Sequence, residues 1–129
     1  GVAHAGWRGV ASGVIQATVR AMRAALGERD VELVAYLGPA IGPAHFEVGP
    51  EVLEAMAETL PRPAEAFHRR GDRYLADLFA LGRQALGEVG VMRVHGGSDC
   101  TYSNAERFYS YRRDRVTGRH AALVWIDPA

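Results

Sequence analysis

The stretch Gly1-Val2-Ala3-His4-Ala5-Gly6-Trp7-Arg8-Gly9-Val10 constrains this chain more than any other. Small apolar residues lead to a histidine, two glycines bracket a Trp-Arg pair, and a helical pattern follows. This reads as a strand that ends at a polar turn and opens a helix. A helix start offers free N–H groups and the positive end of the dipole, so anions and catalytic groups collect there. His4 can hold a metal or move a proton near neutral pH. Arg8 can clamp an anion with a planar fork of donors. The plainer alternative is a satisfied polar residue at a strand end, with Trp7 serving only to pack.

The same alternation of element types continues along the chain. Val10, Val14, Thr18, Met22 and Leu26 recur every four residues, which predicts a helix over 10–26 that stops at Gly27. Gly13 inside it implies close packing, since glycine costs a helix about 1 kcal/mol relative to alanine. Val31 to Leu37 reads as a strand buried on both faces, running into the rigid loop Gly38-Pro-Ala-Ile-Gly-Pro43. Pro50 suits the first position of a helix whose apolar face is Val52, Leu53, Met56 and Leu60. A short strand is expected around Phe67. The next helix should start at Asp72 or Asp77 and carry Tyr74, Leu75, Leu78, Leu81 and Leu86 on one buried face, ending at Gly90. Val91 to His95 is a second strand running into a turn, Gly96-Gly97-Ser98-Asp99-Cys100-Thr101, and His120 to Ile126 reads as a closing strand. The expectation is one α/β (or α+β) domain over residues 1–129, with helices packed on a layered mixed sheet.

Composition narrows the function classes. Fifteen Arg and no Lys balance fifteen acidic residues, so the formal charge is zero and no nucleic-acid or anionic-membrane partner is implied. No apolar run approaches the roughly 18 residues of a membrane span, and no leader is visible. One cysteine, Cys100, allows no intrachain disulfide, which favours a reducing, cytoplasmic setting. Five histidines are scattered at positions 4, 45, 68, 95 and 120, and no pair has the short spacing of a zinc motif. Cys100 reads either as a small buried residue or as a nucleophile with His4 or His95 as its base. Tyr109, Tyr111 and Phe108 read either as core or as a platform on which a purine could stack.

The stretch His4-Ala-Gly-Trp-Arg-Gly9 resembles the signature of the laccase-domain family, also called multicopper polyphenol oxidase-like or YfiH-like. Three further stretches match it in order: Leu37 to Pro43 with Phe46-Glu-Val-Gly49, Asp99-Cys-Thr101, and Phe108 to Asp114 with Thr117-Gly-Arg119. The resemblance implies a YfiH-like fold of the kind grouped with cysteine hydrolases, not a cupredoxin. It implies phosphorolysis of purine nucleosides (adenosine, inosine, guanosine, methylthioadenosine) together with adenosine deamination, and so purine nucleosides and phosphate as partners. It also implies a zinc or copper ion bound by His, Cys and His. Only His4 of that trio has a counterpart here; the other two ligands belong to a first half that precedes the motif in proteins about twice this long. The chain, which opens without an initiator Met, is therefore expected to be a C-terminal portion. On this expectation His4 is a metal ligand and possible base, Arg8 an anion contact, and Arg112 and Arg113 substrate contacts whose plainer role is an ion pair with Asp114. The alternatives are a copper-dependent phenol oxidase, and a non-catalytic fragment that self-associates through the face its absent half would cover.

Overall fold

The computed structural model describes residues 1–128. Residues 1–6 hold no regular structure, so the expected opening strand is absent. A strand needs a partner for its backbone groups, and among the described residues none pairs with this segment. The predicted helix over 10–26 is two helices, α1 (Trp7–Ala11) and α2 (Val14–Leu26). The break is at Gly13, whose φ of 79° lies in the left-handed region. A Cβ on Gly13 would meet only the Gln16 side chain at 3.8 Å. Backbone conformation, not close packing, therefore requires glycine there.

Strand β1 (Val34–Leu37) pairs in parallel with β5 (Arg93–Gly96), with Val34 opposite Arg93 and Leu37 opposite Gly96. Among the described residues this sheet has two strands. Ala35 and Leu37 lean on a small core of Val19, Leu86 and Val91, while Val34 and Tyr36 face outward, Tyr36 being 71% exposed. The expected burial on both faces is thus corrected: nothing among the described residues covers the outer face.

The second sheet is antiparallel, in the order β2 (Glu47–Val48), β4 (Arg73–Ala76), β3 (Phe67–Arg70). Strand β3 falls where Phe67 suggested one. Tyr74 and Leu75, assigned to a helix by their spacing, lie in β4 instead. Gly71-Asp72 joins β3 to β4, with Gly71 at φ 65°; such a two-residue link is a hairpin signal that outweighs the helical period. Helix α3 (Pro50–Ala57) starts on Pro50 as expected. Helix α4 (Leu78–Glu88) starts one residue after Asp77, whose carboxylate accepts the Ala80 N–H at 3.0 Å. Asp77 is therefore its cap and lies outside the helix body.

The main core joins Val10 of α1, Val52 and Met56 of α3, Ala76 of β4, and Leu81 and Ala85 of α4. Met56, Ala76, Leu81 and Ala85 are completely buried. The result is a mixed α/β arrangement whose strands form two small sheets in place of one layered sheet. A last short helix, α5 (Tyr111–Asp114), precedes a segment without regular structure. The closing strand expected over 120–126 is not formed, because no free strand edge in the described residues pairs with it. Its Leu123, Trp125 and Ile126 are 81%, 77% and 93% exposed.

Candidate functional site

Strands β1 and β5 run parallel, so the loops after Leu37 and Gly96 leave the sheet from the same end. Loops at the carboxyl ends of parallel strands are the usual place for ligands in such sheets. Here the two loops are bonded to each other. Gly97 N–H donates to Leu37 O at 2.9 Å, Ala40 N–H to Asp99 O at 3.1 Å, and Thr101 N–H to Ala40 O at 2.9 Å. The rigid loop and the Asp99-Cys100-Thr101 turn, sixty positions apart in the chain, thus act as one piece.

Cys100 sits at their junction, partly buried. Its Sγ accepts the Gly42 N–H at 3.2 Å, and the Ser103 N–H and hydroxyl at 3.4 Å each. Burial alone would push the thiol up; the hydrogen bonds from Ser103, Gly42 and Tyr102 outweigh it and hold Cys100 below the ordinary thiol value. A Cβ on Gly42 would stand 3.1 Å from this sulfur, so the loop can approach it only at a glycine. Gly42 lies in the loop that the sequence singled out, but its contact with Cys100 escaped the sequence reading, as did Ser103. The lowered thiol has a measurable consequence. Above the unfolded thiol's pKa the thiolate is ionised in both states and the stabilisation is fully present. It is lost as pH falls through the lower folded value. Titration of thiolate absorbance in the folded chain should give a midpoint below that of the urea-unfolded chain; equal midpoints would show that the donors do not act on the sulfur.

Arg113 ties the next motif to this turn. Its Nη1 donates to Thr101 O at 2.8 Å and Tyr102 O at 3.0 Å, and its Nη2 to Phe108 O at 3.0 Å. Its Nε and Nη2 also donate to the Asp114 carboxylate at 2.8 and 2.7 Å. All five N–H groups are committed, leaving none for a substrate in this arrangement. The Arg113 hydrogen bonds hold Asp114 below the usual carboxylate range, and Asp114 in turn raises Arg113. Arg112 donates to Glu47 O at 2.9 Å and lies over the Phe46 ring at 5.6 Å. His45 stacks on Tyr102, centroids 4.3 Å apart. Tyr109 and Tyr111 are exposed and Phe108 is half-buried, so the two tyrosines are not core; the Tyr109 ring stacks with His120 at 6.5 Å.

His4 and Arg8 stand apart from this cluster, both exposed. Trp7 packs on the main core together with Ala40 and Ile41 of the rigid loop, which brings the first motif to the same flank of the core. The Arg8 guanidinium lies 4.3 Å from the Trp7 ring centroid. Stacking of this kind orients the group without using its N–H donors. Helix α1 has only five residues, so its dipole adds little. Among the described residues no three His, Cys, Asp or Glu side chains come together as a metal site. The residues present therefore do not by themselves fit the ion that the resemblance implies.

The family described as multi-copper polyphenol oxidoreductase laccase matches residues 1–127. The chain belongs to this laccase-domain family. Among its relatives is a protein of Escherichia coli named purine nucleoside phosphorylase YfiH, 48% identical over 124 residues, which are 96% of this chain and 49% of that protein. A Pseudomonas aeruginosa protein also named purine nucleoside phosphorylase is 50% identical over 127 residues, covering 97% of this chain and 51% of its own length. A Neisseria meningitidis protein of solved structure superposes with a TM-score of 0.77 at 46% identity, covering 87% of this chain and 45% of that one. YlmD from Geobacillus stearothermophilus superposes with a TM-score of 0.79 at 31% identity, over 88% and 43% of the two chains. The fold is therefore of the YfiH kind and not a cupredoxin. The chain spans about half the length of the laccase-domain relatives it matches.

Proposed function

We propose that this chain supplies one half of a purine nucleoside phosphorylase. The observation that carries the reading is that relatives bearing that name match nearly the whole chain, at 48% and 50% identity. Phosphorolysis breaks the glycosidic bond with phosphate as the nucleophile. It needs a held anion and a group that manages charge on the departing purine. Arg8, stacked on Trp7 with no protein acceptor among the described residues, is assigned the anion contact. His4 is assigned as proton carrier and as one ligand of a zinc or copper ion whose other ligands lie outside this chain. Arg112 keeps donors free beyond its bond to Glu47 and is assigned to substrate. Arg113 is assigned to holding the Cys100 turn. Adenosine, inosine, guanosine and methylthioadenosine are the proposed substrates. Adenosine deamination needs an activated water that this chain's residues do not assemble alone. The proposed setting is the cytoplasm, in keeping with the free thiol; no helix among the described residues is long and apolar enough to cross a membrane.

The test is phosphate-dependent release of base from adenosine and inosine, run on this chain alone and on a protein extended to the relatives' length. Turnover in the extended protein that requires phosphate supports the reading. Oxygen uptake on phenols without phosphate would instead favour the copper oxidase that the family's description names.

A second reading rests on exposed apolar surface. Tyr36 and Met92 by the two-stranded sheet, and Leu123, Trp125 and Ile126 in the tail, are each more than 70% exposed. Exposed apolar side chains that join into a contiguous patch favour association. The chain alone is expected to self-associate, by light scattering over a concentration series, and Trp125→Ser with Ile126→Ser to shift it toward monomer. A monomer at every concentration would remove this reading.

A further inference from the structure

Strands β1 and β5 form a parallel pair, and parallel sheets occur almost only where both faces are covered. Here the inner face is covered. A Cβ on Gly82 of α4 would stand 3.5 Å from Leu37 Cδ2 and 3.9 Å from Ile15 Cδ1, so β1, α2 and α4 meet at that point. The outer face is bare and divided. Its register sets Val34 beside Arg93 and Tyr36 beside His95, all four exposed. Arg93 Nη1 of β5 lies 2.9 Å from Glu32 Oε2. The β5 half, with Arg93 and His95, suits a strand that borders water, and the β1 half, with Val34 and Tyr36, does not. The outer edge of β1 is open as well. Among the described residues its backbone bonds only toward β5 and the turn that follows β5.

The path of the chain points to an occupant. Strand β1 follows α2 and runs back along it, since Leu37, at its end, lies by Ile15, at the start of α2. Residues 1–4 run in the same direction. Gly1 lies by the later part of α2, where an added Cβ would stand 2.9 Å from Met22 Sδ and 3.7 Å from Thr18. The Cβ position of Gly9 is 3.4 Å from His4 O and 3.2 Å from Val14, at the start of the helix. Polypeptide entering at Gly1 therefore arrives near the beginning of β1 and parallel to it. A helix between two parallel strands is how such sheets are usually connected. A protein of the relatives' length has about as many residues again as this chain.

We infer that the open edge of β1, with Val34 and Tyr36 on its outer face, is the docking surface for the segment that precedes Gly1 in a protein of that length, and that this segment adds a strand to β1 and not to β5. This docking shares with the proposed function only a second half of the protein, and amide exchange reads it without any turnover.

Every second N–H of β1 points at the open edge. The experiment follows hydrogen exchange of the Val34–Leu37 and Arg93–Gly96 amides by NMR, in this chain and in the protein extended to the relatives' length. In the chain alone, diluted to monomer, the β1 amides that face the open edge should exchange fast. In the extended protein they should slow by roughly tenfold or more, the scale of one hydrogen bond gained, while the outward amides of β5 stay fast. Tyr36→Asp should lower the unfolding midpoint of the extended protein and leave that of the chain alone unchanged. Fast exchange along β1 in the extended protein, or protection gained on β5 in its place, overturns the inference. So does protection of β1 in the chain alone that grows with concentration and does not increase in the extended protein, which gives the edge to a second copy.

Discussion

His4→Ala, made in a protein extended to the full length of its relatives, is expected to lower phosphate-dependent base release by roughly 10²–10⁴-fold, the range for losing a positioned proton-transfer group. His4 is exposed at a turn without regular structure, so its removal leaves no hole in the core. In this chain alone the melting midpoint should therefore barely move, while kcat falls in the extended protein. Arg8→Ala is the companion measurement. A guanidinium that contacts phosphate should raise KM for phosphate more than KM for the nucleoside. If His4→Ala retains activity within a factor of two, His4 has no part in the reaction.

Leu81→Ala is expected to destabilise the chain by about 2–5 kcal/mol, the range for emptying a buried leucine site. Leu81 is 0% exposed and lies on α4 in the main core with Met56, Ala76 and Ala85, all equally buried. Those neighbours belong to three different elements, so the site cannot collapse by a single side-chain shift. Native domains hold about 5–15 kcal/mol in total, so a loss of this size removes a large share. Urea unfolding should show a lower midpoint at an unchanged slope. A shift below about 1 kcal/mol would mean that α4 is not anchored through this residue.

The Arg113–Asp114 pair lies outside the catalytic reading and follows the same physics. Arg113 and Asp114 adjust one another because each completes the other's hydrogen bonding, and three further carbonyls use the rest of the guanidinium. The spacing of Arg112 and Arg113 made them equivalent as candidates. Only their surroundings separate one that bridges to Phe46 and Glu47 from one that is saturated.

Local chemistry was legible along the chain. Pro50 marked one helix start and Asp77 was one of two residues offered for the next, because a proline's fixed φ and a carboxylate's reach to nearby N–H groups act within one turn. Gly27 and Gly90, each at positive φ, marked where helices stop. The laccase-domain signature was legible for a different reason, since motifs are runs of adjacent residues. What the tertiary structure decided were the contacts between segments remote in sequence. Tyr74 and Leu75 keep a helical spacing with Leu78, yet β2 and β3 recruit them into a strand. The periodic pattern over 10–26 passes through Gly13 undisturbed, while the backbone turns there at φ 79°. Gly42 meets Cys100 across 58 residues, through a backbone N–H that no side-chain pattern reports. Residues 120–126 have the composition of a strand and remain unpaired among the described residues, because a strand is made by its partner's backbone as much as by its own side chains.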